Sequence, residues 1–418
     1  MGKFGVSEMK FLFRQAAKNL VRHGKKNILH ILIGVLTVLI LDIYAGNMDS
    51  TKKQLTELPE VLTITARIST LNGSRSEGMA IREERMMGVR ESAYVKDPVF
   101  TVRLKFGFGA FAIEEYKEKL NHFGIGTNVP EGVSGMKREE IIWLDGVDEE
   151  ILATTQKVCL LDATLLEERG LSLGDDVTLT LFYYRYATEG NEVFIDPLVT
   201  DRYQIVGCMQ IEDYQGEWIV PEVIVPLDYM REAYHSQGIA FFADSGSFVV
   251  KDPFQLNDLK AQMHGELGFL PVITRARERA DGNALTIMDE AFIRSAETLS
   301  RNLALLKGML PFLTAIIIFI GYLCSYLSLQ SRWEEYALMR SLGTGQSRSF
   351  FLLLGETAFV EAAACVLGSL AAAVFLRPAA KVLALSGTMF FLAFLAGAAM
   401  AILALHRLSV MEMLTQKV

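Results

Sequence analysis

The organisation of the chain follows from RWEEYALMRSLGTGQSRSFFLLLGE, residues 332–356. This charged stretch separates two apolar segments at 305–329 and 350–376, and each is longer than the roughly 20 residues that a helix needs to cross a bilayer. The charged part of the stretch is too short for a domain, and it also carries aromatic and aliphatic residues. We therefore expect two transmembrane helices joined by a short amphipathic helix within 330–349.

Two further apolar segments bring the expected number of transmembrane helices to four. Residues 28–46 form the first, and 377–405 contain a short turn followed by the fourth. A signal peptide is the alternative for 28–46, but the apolar run is long and no A-x-A cleavage pattern follows it, so we interpret it as a retained anchor. Asp42 lies near its far end, where we expect water to be close. The chain is 51% hydrophobic, which is too apolar for a soluble protein of 418 residues.

Basic residues indicate the orientation of the four helices. Cations recur every four residues near the N-terminus and therefore share one helical face, at Lys10, Arg14, Lys18 and Arg22. We expect an amphipathic helix within 1–27 that lies on an anionic membrane surface, with an ordinary solvated helix as the alternative. Basic residues also flank the membrane at 330–349 and 406–418. The positive-inside rule then predicts cytoplasmic termini, a cytoplasmic central loop, and residues 47–304 outside.

Residues 47–304 have the mixed pattern of an α+β domain. Short runs rich in Val, Ile, Thr and aromatic residues alternate with helical stretches. Residues 158–181 predict a strand, a helix, a turn and a second strand. The length allows two lobes, with a boundary near 145–150 as one interpretation. Because 47–58 continues the first apolar helix and 285–308 leads into the second, we expect a helical stalk, although 285–296 could instead pack on the domain.

No motif in the chain predicts an enzyme. It has no G-x-x-x-x-G-K-[ST] phosphate-binding loop, no H-E-x-x-H zinc motif and no nucleophile–base pattern. The net charge of −8 does not favour nucleic-acid binding. Cys159 and Cys208 fall in the region predicted to lie outside, where they could form a disulfide, but their spacing does not require one.

The central loop is the strongest local signal. As a helix it would place Tyr336, Met339 and Leu342 or Gly343 on adjacent turns, with Gly343 and Gly345 ending it. Such a helix could dock on a partner protein, or it could lie on the membrane surface without one. Residue spacing alone leaves both alternatives open.

Residues 335–343, EYALMRSLG, resemble the E-I-A-x-x-R-A-[LI]-G signature of FtsX/MacB-like ABC transporter permeases. The series 158–181, DRYQIVGCM (201–209) and IVPEVIVPLDYM (219–230) resembles the MacB-like periplasmic core domain of the same family. The resemblance covers most of the chain except 70–140. Tyr336 departs from the signature, which usually has Ile or Val at this position.

This resemblance implies a membrane protein with four transmembrane helices and a large extracytoplasmic α+β domain between the first and second. The chain would be the permease subunit of a type VII ABC system in a bacterial cell (inner) membrane. It would work with two copies of an ATPase subunit that binds ATP and Mg, a second permease chain of the same or a related sequence, and membrane lipids. An extracytoplasmic adaptor or accessory protein is a further partner of such systems.

The implied mechanism is mechanotransmission, in which ATP hydrolysis in the cytoplasm moves the extracytoplasmic domain. The expected task is export or extrusion of a peptide, antibiotic, lipid or lipoprotein. We expect ATPase coupling from seven residues of the loop, with Glu335, Arg340 and Gly343 central; the seven are Trp333, Glu335, Tyr336, Met339, Arg340, Leu342 and Gly343. The alternative is an FtsX-like envelope regulator that controls a cell-wall hydrolase or senses a peptide.

Overall fold

A computed structural model describes residues 24–110, 122–186, 193–212, 214–216, 219–277, 282–330, 332–342 and 344–406. The chain divides into a helical unit, made of residues up to Leu58 and from Arg294 onward, and an α+β unit, Pro59–Ile293. The described α-helices are α1 Gly24–Val61, α2 Glu83–Arg90, α3 Ala163–Arg169, α4 Leu227–Ser236, α5 Leu256–Gly265, α6 Glu290–Gln330, α7 Trp333–Ser341, α8 Gln346–Phe375 and α9 Ala380–His406.

Thirteen strands are described, all of them in the α+β unit. They are β1 Thr65–Ser69, β2 Ile81–Arg82, β3 Val95–Phe108, β4 His122–Thr127, β5 Ile141–Trp143, β6 Val158–Asp162, β7 Asp176–Tyr186, β8 Val193–Met209, β9 Val223–Pro226, β10 Phe242–Ala243, β11 Ser245–Val250, β12 Leu270–Pro271 and β13 Ala284–Ile287.

Four of the described helices, α1, α6, α8 and α9, are long and apolar enough to cross a membrane. They correspond to the four segments that the sequence predicts, to within a few residues at the turn between α8 and α9. Helix α1 is continuous through 47–58, as expected. The helix predicted over 285–308 begins later, because Ala284–Ile287 pairs antiparallel with β1 and Leu285 lies opposite Ile68. The β-branched Thr286 and Ile287 favour this strand, and α6 starts at Glu290.

Small residues allow close contacts between the helices of the helical unit. A Cβ atom on Gly34 of α1 would lie 2.7 Å from Cβ of Ala364 in α8, and one on Gly368 of α8 would lie 2.8 Å from Cβ of Val38. A Cβ on Gly397 of α9 would lie 2.0 Å from the carbonyl oxygen of Ile318 in α6. Small residues let helix backbones approach in this way, and they define the α1–α8 and α6–α9 contacts.

The α+β unit is built on one large sheet with the strand order β12-β13-β1-β11-β3-β4-β9-β6-β8-β5. Strand β7 pairs with both β3 and β8, so six strands close into a ring in the order β3-β4-β9-β6-β8-β7. A closed ring leaves none of its six members as a free sheet edge. Strands on either side of 145–150 pair within this ring, so that position does not separate two lobes of the sheet.

The predicted strand–helix–turn–strand over 158–181 is present as β6, α3 and β7. Helix α3 buries Leu165 and Leu166 and ends at Gly170, whose φ of 62° is in the left-handed region that favours glycine. Residues 111–121 lie outside the described residues, and His122 and Phe123 belong to β4.

A chain of polar contacts joins strand β8 of the ring to helix α4. The Tyr203 and Tyr229 hydroxyls are 2.7 Å apart, and the Tyr229 hydroxyl donates to Asp201 Oδ2 at 2.8 Å. Burial raises the pKa of both tyrosines, so they stay protonated and can act as donors. Cys159 and Cys208 lie on β6 and β8 as free thiols, and Cys159 is buried.

Candidate functional site

The segment between α6 and α8 contains the nine-residue helix α7 and is joined to the end of α6 by a backbone hydrogen bond. The backbone N–H of Arg332 donates to the carbonyl oxygen of Leu329 at 2.8 Å, at the end of α6. Glu334 and Glu335 lie in the first turn of α7, where carboxylates interact favourably with the helix dipole. Gly345 precedes α8 as its N-cap residue. The turns before and after α7 are therefore short.

One face of α7 packs into the helical unit. Tyr336 and Ala337 are only 3% and 1% exposed. They belong to a cluster of buried residues drawn from α6, α7, α8 and α9, consisting of Leu329, Tyr336, Ala337, Leu353, Ile402 and Leu405. Three membrane-length helices thus contact the inner face of α7.

The other face of α7 presents large apolar side chains to the surface. Leu338 is 60% exposed and Leu342 is 81% exposed. They are four residues apart, so they lie on the same side of the helix on successive turns. Ser341 is also on the exposed side. An exposed pair of leucines next to a charged first turn is a suitable contact surface for another protein.

The predicted coupling residues are distributed over both faces. Tyr336 points inward and Leu342 outward, whereas Glu335 and Met339 are half-buried. The single contact face predicted for Tyr336, Met339 and Leu342 is therefore divided in the structure, because Tyr336 fills the space between α6, α8 and α9. Leu338 is an exposed residue that the set of seven omits.

The backbones of Trp333 and Arg340 belong to α7, and Gly343 lies outside the described residues. The N-terminal cations also lie outside the described residues; they are Lys10, Arg14, Lys18 and Arg22.

Arg332 connects the start of α7 to α8 through charge. Its Nη1 lies 2.7 Å from Oε2 of Glu356, and its Nε lies 3.1 Å from Oε2 of Glu335. The Arg332 and Glu356 side chains are only 14% and 10% exposed. A charge-assisted pair with so little solvent contact is screened less than a surface pair. This pair joins the first and last residues of the charged stretch and fixes α7 against α8.

A second polar contact lies deeper among the same helices. His30 Nε2 of α1 is 2.9 Å from Glu361 Oε1 of α8, and their side chains are 8% and 0% exposed. A polar cavity of about 30 Å³ touches both His30 and the Arg332–Glu356 pair. This is enough space for about one water molecule. Titratable residues inside a bundle of apolar helices are expected only where they perform a function or hold helices together.

Asp42 of α1 is also buried, which corrects the expectation that it lies near water. It is 0% exposed, and its Oδ1 accepts a hydrogen bond from the Ser386 hydroxyl of α9. The reason is its position on the helix, since Asp42 follows Val38 by four residues and therefore shares the inward face.

Within the described ranges, no group of three or more His, Cys, Asp or Glu side chains is placed to hold a metal ion.

No family model and no curated protein matches the chain. Among solved structures, it is similar to the periplasmic region of MacB from Actinobacillus actinomycetemcomitans, with 11% identity and a TM-score of 0.32, over 56% of this chain and 92% of that one. It is also similar to the extracellular domain of the noncanonic ABC-type transporter YknZ from Gram-positive bacteria, with 14% identity and a TM-score of 0.28. That match covers 54% of this chain and 99% of the YknZ domain. TM-scores below 0.5 do not establish a shared fold.

Proposed function

We propose that the chain is the permease subunit of an ABC transporter of the FtsX/MacB-like kind, in which α7 receives movement from a cytoplasmic ATPase subunit. The observation that carries this proposal is the division of α7 into two apolar faces. One face is buried among α6, α8 and α9, and the other exposes Leu338 and Leu342. The resemblance of EYALMRSLG to the family signature supplies the identity of the partner.

The geometry suits transmission of force from a bound partner. A partner that holds Leu338 and Leu342 pushes on a helix whose opposite face is embedded in three long helices. The Arg332–Glu356 pair holds the residue that precedes α7 against α8. Packed interiors deform little, so a displacement of α7 would pass into α6 and α8 rather than being absorbed locally.

The proposal extends to orientation and partners. Both termini and α7 lie in the cytoplasm, and the α+β unit lies outside. ATP and Mg bind to two copies of the ATPase subunit, a second permease chain completes the complex, and hydrolysis moves the α+β unit by mechanotransmission. The cargo is a peptide, antibiotic, lipid or lipoprotein that is exported or extruded.

The test is affinity purification of the tagged full-length chain from its native membrane in mild detergent, with mass spectrometry of the proteins that accompany it. We expect a stoichiometric ATPase with a phosphate-binding loop. Leu342→Asp, alone or with Leu338→Asp, should remove that ATPase while the chain remains in the membrane, because a carboxylate in an apolar contact must be desolvated.

A matched control is Ile142→Asp, which places the same charge at a 66% exposed apolar position on β5 of the α+β unit. It should leave the ATPase bound. Purification of the well-folded wild-type chain without any ATPase would refute the proposal, as would full ATPase recovery with the Leu338/Leu342 double variant.

A further inference from the structure

The α+β unit contains a polar cavity that the proposed coupling role does not use. Its volume is about 200 Å³. Its floor consists of adjacent strands β1, β11, β3 and β4. The pairing register places Arg67 opposite Ser247, and Ser245 opposite Thr101. Because alternate residues of a strand point to the same side, these four side chains belong to one face of the sheet.

Along β1 and β11 this face carries polar residues, whereas the opposite face of the same two strands is apolar and buried. On β11, Gly246, Phe248 and Val250 are buried, whereas Ser245 and Ser247 are half-buried and line the cavity. On β1, Ala66 and Ile68 are buried on either side of Arg67. A face covered only by protein would be expected to carry apolar residues here. The alternation therefore indicates a face that meets water or a polar ligand.

The guanidinium group of Arg67 lines the cavity and has no side-chain partner among the described residues. Its Nε is buried, and no hydrogen bond or ion pair joins its side chain to another described residue. The neighbouring Arg103, in contrast, pairs with Asp244 at 3.0 Å. A guanidinium group presents donors in a planar fork that fits a carboxylate with two parallel hydrogen bonds. Arg67 is thus equipped to bind an oxyanion that enters the cavity.

Negative and apolar groups in the cavity narrow the ligand class. Glu77 and Glu131 line it outside the floor, where Glu77 Oε1 accepts a hydrogen bond from the Ser134 hydroxyl and Glu131 Oε1 pairs with Arg138. Their carboxylates disfavour a multiply charged anion such as phosphate. They also provide carboxylates for an ammonium group. Val99, Phe123 and Ile125 add apolar surface. A cavity of about 150 Å³ holds benzene, so this space is suitable for an amino acid or a dipeptide.

We propose that the cavity binds an amino acid or dipeptide, with the α-carboxylate held by Arg67 and the ammonium group near Glu77 and Glu131. This site would make the α+β unit a receptor for a small zwitterion. The inference goes beyond the coupling role and does not depend on it, because binding requires neither ATP nor an ATPase subunit.

The experiment uses the full chain in lipid nanodiscs without ATP. The natural amino acids and their homodipeptides are screened by the shift in Tm, and those that raise Tm are titrated by calorimetry. We expect at least one to bind. Its C-terminal amide should bind about tenfold more weakly or worse, because the charged hydrogen bonds to Arg67 are lost. Its N-acetyl derivative should also bind more weakly.

Arg67→Gln should weaken binding of the same ligand to a similar extent, whereas Arg202→Gln should not. Arg202 is 73% exposed and pairs with Asp176 away from the cavity, so it controls for the loss of one positive charge from the domain. The amide and N-acetyl ligands test the site in the wild-type protein, even where Arg67→Gln impairs folding. The inference is overturned where no screened compound binds, where the amide binds as tightly as the free acid, or where a folded Arg67→Gln protein binds as tightly as wild type.

Discussion

The helical unit and the α+β unit distribute polar and apolar residues in opposite ways. Helix α1 exposes Leu32 and Leu36, at 63% and 59%, while it buries Asp42 at 0%. In the α+β unit, Phe100 and Phe106 are 0% exposed, and the outer surface carries most of the charges. The helical unit therefore has an apolar exterior with polar contacts inside, and the α+β unit has an apolar core.

The difference reflects the solvent to which each unit is adapted. Lipid tails are as apolar as leucine, so moving a leucine from lipid into a helix contact gives no hydrophobic free energy. Helices in a membrane therefore associate through close packing of small residues and through polar contacts. In water, burial of apolar surface is the dominant favourable term for folding. Substitutions of the same chemical kind should therefore have different effects in the two units.

The largest effect is expected for Phe106→Ala in the α+β unit. The ring of Phe106 is 0% exposed and stacks on His122 with a centroid distance of 5.1 Å. Its removal should cost about 3–5 kcal/mol and lower the Tm of the domain by about 10 °C. Phe254→Ala, at a 59% exposed position, is the matched control and should cost less than about 1 kcal/mol. Equal losses of Tm, measured by calorimetry on the full chain, would contradict an apolar core in this unit.

The next effect concerns close packing in the helical unit. Gly397→Ala places a methyl group 2.0 Å from the Ile318 carbonyl oxygen, so α6 and α9 must separate, at a cost of about 1–3 kcal/mol. Gly355→Ala is the matched control, because nothing lies within 4 Å of its added Cβ. In the control, the higher helix propensity of alanine should stabilise the protein by a few tenths to about 1 kcal/mol.

The two glycine variants should therefore shift stability in opposite directions. The measurement is the Tm of each variant purified in the same detergent. A rise in Tm for both variants would show that α6 and α9 are not in close contact at Gly397.

The sequence predicts much of this architecture because hydrophobic length and strand pattern are local properties. The four apolar helices and the module over 158–181 can be recognised from such patterns. The sequence predicts helix from residue 285, whereas Ala284–Ile287 forms a strand, because four residues before a long helix are ambiguous until a pairing partner such as β1 is known. The ring of strands depends on pairings between distant residues, which no local pattern specifies.

A third prediction concerns the buried pair of His30 and Glu361. His30→Leu leaves the fully buried Glu361 side chain without its partner and should cost about 1–3 kcal/mol. The double variant with Glu361→Leu removes both polar groups and should be close to wild type, because an apolar contact can replace a buried pair. The measurement is unfolding of the three proteins in mixed detergent micelles. A double variant less stable than the single variant would show that the pair contributes net stability.

The candidate site was predictable only in part. Its location follows from the charged interruption between two apolar segments, and a helix follows from the absence of breakers between Trp333 and Leu342. Which face would be buried depends on the positions of α8 and α9. The Arg332–Glu356 pair has one signal in the sequence, namely a glutamate inside an apolar segment, but its partner is 24 residues away and cannot be inferred from spacing.

The last prediction concerns the two thiols of the α+β unit. It is measured as a rate of alkylation and not as a change in stability. Burial raises the pKa of both Cys159 and Cys208, and only the thiolate reacts with an alkylating reagent. In a chain with Cys324→Ala and Cys365→Ala, native Cys208 should therefore react more slowly at neutral pH than a free thiol. Its rate should increase about tenfold per pH unit until its pKa is reached. Cys159 is 0% exposed and should react only after unfolding.

Mass spectrometry of the labelled peptides separates the two sites. Equal labelling of Cys159 and Cys208 in the native protein would show that water reaches the interior of the α+β unit, and the contrast with the helical unit would be lost. Failure of both to react after unfolding without reductant would instead reveal a disulfide between them. Slow Cys208 labelling with a protected Cys159 is the pattern that an apolar core requires, because the reagent and hydroxide must both enter before Cys159 can ionise and react.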